Sequence, residues 1–293
     1  MRKFLLSLLL AGCATIAQSA ENIKIYSPYS PGHSATPALL KVVDEANNAQ
    51  DVYKFSVEFK PGGGQTLALR VLDENSLGII APAYVDNINQ GKIVESDYVP
   101  VHAFGDACWA VVTNRPLGPN QQFTVGGVGF GNASHLTALA LGRKYKFDVK
   151  YVIFKSNYDA LVNMTGNNGV EFVIDKYESY ATLKTQNSRL NMVAASCPKR
   201  LPQAPDVKTL KEMGVDAPYI FNITVASRTM SHPRRLAIAR ILDTATLKVG
   251  ADEIYRLGAL RPPVFDGVTA EAFYKTSVNA VRTLLVQYKD KIP

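Results

Sequence analysis

The sequence predicts an α/β protein of two lobes, each built on a mainly parallel sheet flanked by helices. Three observations carry this expectation. Short apolar strands alternate with helical stretches, strand-loop-helix units recur along the chain, and 293 residues suit two domains of about 100 to 200 residues each. With 47% hydrophobic and 19% charged residues, the chain has the composition of a packed globule and not of a disordered or collagen-like polymer.

Asn22 to Tyr26 reads as a strand, and the turn-rich run Ser27 to Ser34 leads into a helix over Pro37 to Asn47. Phe55 to Phe59 is a second strand, followed by Lys60-Pro61-Gly62-Gly63-Gly64-Gln65 and a helical stretch, Thr66 to Leu72. Leu77 to Ala81 is a buried strand opening on a helix that runs to Asn89. Val99 to Thr113, interrupted around Gly105, has the apolar runs of a segment crossing between lobes. Phe123 to Val128 is then a strand and Ser134 to Arg143 a helix with Leu136, Leu139 and Ala140 on one face, so a third unit begins a second lobe. Val149 to Phe154, Val170 to Ile174 and Leu190 to Ala195 read as strands, and Tyr158 to Met164 as a helix. From Pro233 the pattern is helical, and Thr269 caps a last helix carrying Phe273, Val281, Leu284, Leu285 and Tyr288.

Residues 1–20 join Arg2 and Lys3 to an apolar run and then to small residues, the pattern of a secretory signal. No later stretch approaches roughly 18 unbroken apolar residues. Cleavage near Ser19 or Ala20 would release the chain, whereas Leu10-Ala11-Gly12-Cys13 fits a lipobox that would leave Cys13 lipidated. Loss of the leader takes two cations and no acid, lowering the net charge from +7 to +5. No dense Lys/Arg block interleaved with aromatics is present, which argues against nucleic acid as a partner. Cys108 and Cys197 remain, and in an oxidising compartment they form either one disulfide or two buried thiols. No Cys/His cluster of zinc spacing occurs, so neither a metal nor a cofactor is expected.

Three loops join a strand to a helix and are rich in Gly, Ser, Asn or Thr: Ser30 to Thr36, Pro61 to Thr66, and Gly129 to His135. At such a loop the N–H groups of the first helical turn converge, the helix dipole adds positive potential, and hydroxyls such as Ser34, Thr66 and Ser134 can donate. Each loop taken alone is also what a tight capped turn requires. In open α/β sheets ligands bind beyond the carboxyl ends of the strands, where all three loops fall. Other chemistries fit less well. Gly129-Phe130-Gly131-Asn132-Ala133-Ser134 lacks the third glycine of a dinucleotide loop, no nucleophile elbow occurs, and His33, His102, His135 and His232 are scattered. Trp109 reads as core or rim.

The chain resembles the periplasmic solute receptors of tripartite tricarboxylate transporters, the Bug or TctC-like family. The resemblance runs in order along nearly the whole chain after the leader. It rests on the Ser30-Pro31-Gly32 loop, Lys60-Pro61-Gly62-Gly63-Gly64, Gly131-Asn132-Ala133-Ser134-His135-Leu136 and Phe154-Lys155-Ser156 with Ala160-Leu161. It continues through Gly169-Val170-Glu171-Phe172 and Pro205 to Gly214. This implies a two-lobed Venus-flytrap fold of the type II kind, a monomer in the periplasm that hands a small carboxylate to the integral membrane permease subunits of a transporter. It also implies a site drawn from Ser30, Gly32, His33, Ser34, Gly63, Gly64, Gln65, Asn132, Ser134 and His135, with Asp175 as an acid near the cleft. His33 and Thr36 stand where the family pattern has a second glycine and an acid, and Gln65 follows the triple glycine, so these three help shape the pocket. Thr36 in place of an acid removes a negative charge and would tolerate a more anionic ligand.

On this reading, residues 21 to about 105 with about 225 to 293 form one lobe and about 106 to 224 the other. Cys108 and Cys197, near the two crossings, are expected to pair across the hinge. The alternative from another class is an exported enzyme with a Rossmann-like lobe, for which His135 would be the general base. A third reading is a lipid-anchored protein that binds a partner instead of a solute.

Overall fold

The computed structural model describes residues 20–60 and 69–292. The leader with Cys13, and Gly63, Gly64 and Gln65 of the second loop, lie outside the described residues.

In chain order the elements are β1 (Glu21–Ser27), α1 (Thr36–Ala49), β2 (Tyr53–Phe59), β3 (Ser76–Ile80), α2 (Ala83–Asn89), β4 (Tyr98–Ala107), β5 (Trp109–Thr113) and β6 (Gln122–Gly127). There follow α3 (Ala133–Tyr145), β7 (Asp148–Ile153), α4 (Asn157–Met164), β8 (Phe172–Lys176), α5 (Tyr177–Gln186) and β9 (Asn191–Ala195). The chain closes with β10 (Ile220–Ser227), α6 (His232–Val249), α7 (Ala251–Gly258), β11 (Leu260–Arg261) and α8 (Ala270–Gln287). The expected helix Thr66 to Leu72 lies largely outside the described residues, and the other expected elements fall within a few residues of these bounds. Sequence patterning missed β10, whose Ile220, Phe221, Ile223 and Val225 are interrupted by the polar Asn222 and Thr224, and it missed the short helices α5 and α7.

The strands divide into a six-stranded sheet, β11-β4-β10-β3-β1-β2, and a five-stranded sheet, β7-β6-β8-β5-β9. Both follow one plan. A central strand lies parallel between two others, β1 between β2 and β3, and β6 between β7 and β8. Beyond β3 and β8 comes one antiparallel strand, β10 in the first sheet and β5 in the second. β10 and β5 are each the first strand to enter their sheet from the other lobe, and with β11, antiparallel to β4 at the edge of the first sheet, they make the sheets mixed. The parallel strands of each sheet end on one edge, and the β1–α1 and β6–α3 loops leave from those ends.

The first crossing is abrupt. β4 passes into β5 through Cys108 alone, whose N–H donates to Ala259 O at 2.8 Å, tying the crossing to the end of α7. The break was expected at Gly105, but Gly105 stays within β4 and serves its close packing. Its φ of +100° and a position where a Cβ would lie 2.0 Å from Arg261 O admit only glycine. One buried apolar cluster runs through both lobes, joining Leu136 and Leu139 of α3 to Val281, Leu284 and Leu285 of α8. α8 starts on Thr269, whose hydroxyl accepts from Ala272 N at 3.2 Å.

Cys108 and Cys197, expected to pair across the hinge, meet at this crossing as buried, unbridged neighbours. The Cys197 thiol donates to Lys199 O at 2.9 Å, and the Cys197 neighbour, followed by burial, pushes the Cys108 thiol up. Leu201 and Ala195 close over the pair.

Candidate functional site

The β1–α1 loop is folded by its own hydrogen bonds. His33 N donates to Ser30 O at 3.0 Å and Thr36 N to His33 O at 2.9 Å. The Thr36 hydroxyl donates to Ser30 O at 3.0 Å, and the residue is 1% exposed, so this side chain is committed to shaping the loop. Ser30 and Gly32 stay exposed at its tip. The His33 ring stacks on Tyr29 with centroids 4.0 Å apart, and Tyr29 donates to Asn222 Oδ1 of β10. His33 Nδ1 accepts from Ala35 N at 3.2 Å. A ring nitrogen that accepts carries no proton, so the neutral imidazole presents Nε2–H as a donor. Burial, and then the charge of Lys176, lower the His33 pKa from 6.5 to about 4.

The β6–α3 loop repeats the arrangement in the other lobe. His135 Nδ1 accepts from Gly131 N at 3.1 Å, and its ring lies 4.5 Å from that of Tyr151 and 5.4 Å from that of Phe130. Tyr151 donates to Asn132 Oδ1 at 3.2 Å, as Tyr29 does to Asn222. Burial lowers the His135 pKa to about 4 as well. Each lobe therefore carries a Tyr–His pair, an Asn acceptor for the tyrosine, and a neutral histidine whose Nε2–H is its remaining donor.

Asn132 is the N-cap of α3. Its Oδ1 accepts from His135 N at 2.9 Å, while its Nδ2, on a side chain 8% exposed, has no partner among the described residues. The N–H groups of Ala133 and Ser134, in the first turn, have no intrahelical acceptor. Gly131, with φ +68°, brings the loop against Asp86 of α2 and Leu285 of α8 in the other lobe. This helix end thus offers unspent donors and a positive dipole where the lobes meet.

Asp175, at the carboxyl end of β8, is 4% exposed. Its Oδ1 accepts from Lys176 N at 2.8 Å, and its Oδ2 has no partner among the described residues. Burial raises this carboxyl to about 6. Trp109 lies beside it on β5, 4% exposed, with Nε1 likewise unpartnered and its ring 6.2 Å from that of His33 across the lobe interface. Leaving a buried donor unpaired costs about 1–3 kcal/mol, and such groups concentrate where something else is to be bound.

Of the residues the sequence singled out, the described structure brings Ser30, Gly32, His33 and Ser34 to one lobe's mouth and Asn132, Ser134, His135 and Asp175 to the other's. Sequence reasoning missed Tyr29, Tyr151, Asn222, Trp109 and Lys176. Ring stacking and strand register place them, and neither is written in local spacing. His102, which was set aside, is structural: its Nδ1 meets Asp243 Oδ1 at 2.6 Å and its Nε2 meets Thr246 Oγ1 at 3.2 Å, fastening β4 to α6. A hollow of about 540 Å³ lies at the opposite ends of β1 and β3, lined by Glu21, Lys24, Asp73 and Asn75, away from these loops. Among the described residues no cluster of metal ligands occurs and no helix is long and apolar enough to cross a membrane.

Comparison of the whole chain with solved structures decides the fold. The periplasmic binding protein BugD superposes with a TM-score of 0.72 over 92% of this chain and 97% of its own, at 17% identity. The chain has the fold of the periplasmic binding proteins. MatC of Rhodopseudomonas palustris with bound malate aligns at a TM-score of 0.68 and 18% identity, over 92% of this chain and 98% of its own. A TctC solute-binding protein from Polaromonas aligns at 0.62 and 19%, over 88% and 98%. No protein-family model matches the sequence, and no curated protein matches it either. The β1–α1 and β6–α3 loops and the end of β8 lie at the carboxyl ends of the parallel strands of the two sheets.

Proposed function

We propose that this protein is an extracytoplasmic solute receptor of the tripartite tricarboxylate type. It takes a small carboxylate between its lobes and delivers it to the membrane subunits of a transporter. The observation that carries this reading is the α3 N-terminus, where Asn132 Nδ2 is buried with no partner among the described residues, the first-turn N–H groups have no intrahelical acceptor, and Gly131 packs against the other lobe. Donors with a positive dipole and no partner among the described residues suit an anionic oxygen ligand. The likeness to BugD, MatC and TctC supports the same class, and the malate bound to MatC is a ligand of that kind. The leader pattern supports a periplasmic location, with a free chain favoured over anchoring at Cys13.

His135 bears on the enzyme alternative. A general base needs a free nitrogen lone pair, but the Nδ1 lone pair of His135 is engaged by Gly131 N and its Nε2 carries the proton. The residue offered as the base is thus built as a donor, which favours binding without turnover.

The test is a thermal-shift screen of ligand-stripped protein against malate, succinate, adipate, citrate, acidic amino acids and aromatic carboxylates. A ligand bound only by the folded state stabilises it by RT ln(1 + [L]/Kd), about 2.7 kcal/mol at one hundred times Kd. The expected result is a selective shift from one carboxylate class, with the ligand recovered unchanged. A folded protein that no carboxylate shifts, or a carboxylate that is consumed, would overturn the reading.

A further inference from the structure

β5 and β9 are antiparallel, with Ala110 opposite Ala195 and Val111 opposite Ala194. The ladder runs one step past both strands, because Ser196 N donates to Trp109 O at 2.8 Å and Trp109 N to Ser196 Oγ at 3.3 Å. The next step of that register sets Cys108 opposite Cys197. Bonded and non-bonded pairs alternate along an antiparallel ladder, so Trp109 and Ser196 are the bonded pair, and Cys108 and Cys197 a non-bonded one. The N–H of Cys108 accordingly turns away, to Ala259 O, and Ala195, two steps back on the same face, spends its N–H on Lys208 O and its carbonyl on Leu210 N. Opposed residues of a non-bonded pair lie about 4.5 Å apart at Cα with their Cβ atoms on one face, within the span that a disulfide bridges. Both thiols pack with Ala195 and Leu201 in one small buried cluster. After the leader the chain has no other cysteine, so neither sulfur has a rival partner within it. The stretch between them, Trp109 to Ser196, contains β5 to β9, every strand of the second sheet.

We propose that Cys108 and Cys197 form a disulfide as the chain folds in an oxidising compartment, closing the whole second sheet into one covalent ring. The inference rests on export by the leader and is independent of the carboxylate reading. The oxidant is a protein disulfide of that compartment. One cysteine thiolate attacks it and expels a thiolate, and the sulfur of the other cysteine then attacks the mixed disulfide and expels the second. One S–S bond forms in the chain and one breaks in the oxidant, whose two thiols carry away the two protons and two electrons. Both sulfurs are 1% exposed once folded, so the exchange belongs to folding, and the finished bond is shielded from soluble reductants. The ring restricts the unfolded chain far more than the folded one and so braces the second lobe.

Two preparations test this. A chain beginning at Ala20 is refolded from denaturant in a glutathione redox buffer, and the full chain is exported through its leader, whose removal is read from the intact mass. Each is then unfolded without reductant in the presence of an alkylating reagent. Neither is expected to take up label, and the non-reduced digest should contain one peptide joining the Cys108 and Cys197 fragments. Made in a reducing cytoplasm and kept in reductant, the Ala20 chain retains both thiols and should melt about 5 °C or more below the oxidised form. Cys108→Ala combined with Cys197→Ala should abolish that difference between the two buffers. Two labelled thiols in the refolded chain or in the processed exported chain would overturn the inference, as would a bond that leaves Tm unmoved. A leader left in place would overturn the proposed location instead, and the refolded chain would still decide the bond.

Discussion

Asp175 and the loop histidines His33 and His135 are buried groups with opposite preferences, and pH separates them. The histidines titrate near 4 when folded and near 6.5 when unfolded, so the stability they contribute is present above about 6.5 and lost as pH falls toward 4. Asp175 is raised to about 6, so its contribution is present below about 3.9 and lost as pH rises through 6. The two trends oppose one another across the same window. Asp175→Asn removes one of them, and the ligand-free variant is expected to gain on the order of 2 kcal/mol over the parent at pH 7.5 and little at pH 4.5. Thermal unfolding of both proteins at the two pH values checks this. A stability difference that does not grow with pH would show that the Asp175 carboxyl is not held protonated by burial. The signal for Asp175 in the sequence was only its place at a strand end. Its burial, with Oδ2 lacking a partner among the described residues, is a matter of tertiary packing that no local pattern encodes.

At the scale of elements, α3 has two tasks that one residue divides between its atoms. Asn132 Oδ1 caps the helix through His135 N, and Nδ2 has no partner among the described residues. Asn132→Asp keeps the capping oxygen, suits the helix dipole, and replaces the spare donor with a second acceptor. We expect its stability to change by less than about 1 kcal/mol, while affinity for any carboxylate falls by more than about tenfold through repulsion. Calorimetry beside a melting curve distinguishes these effects, and a variant that binds as well as the parent would remove α3 from the site. The cap itself was legible, because Asn before Ala-Ser-His and an apolar stripe is an N-terminal signal. The strand β10 was not, since its alternation of apolar and polar residues lies at the junction of two lobes, where the polar members are also buried. Thr224 is 0% and Asn222 3% exposed.

Across the whole molecule the two lobes are joined by Cys108 and by the segment from Ser196 to Tyr219, with the thiol pair between them. In a chain beginning at Ala20, the folded protein is expected to resist a water-soluble thiol reagent, since both sulfurs are 1% exposed, and to release two thiols on unfolding without reductant. Fewer than two released thiols would show that the pair is oxidised, and rapid reaction of the native protein would show that the hinge opens there. The sequence by itself determined the α/β class, the order of most elements, the helix caps at Asn132 and Thr269, and the two glycine- and serine-rich loops now seen at the lobe mouths. These follow from periodicities of 2 and 3.6 and from turn chemistry, which act over a few residues. Only the tertiary structure decided the partnership of His33 with Trp109, the meeting of Cys108 and Cys197, and the use of Thr36 within its own loop. Those depend on which atoms meet across two crossings of the chain. Hydrogen-bond satisfaction is settled there by distance in space, to which spacing along the sequence is blind.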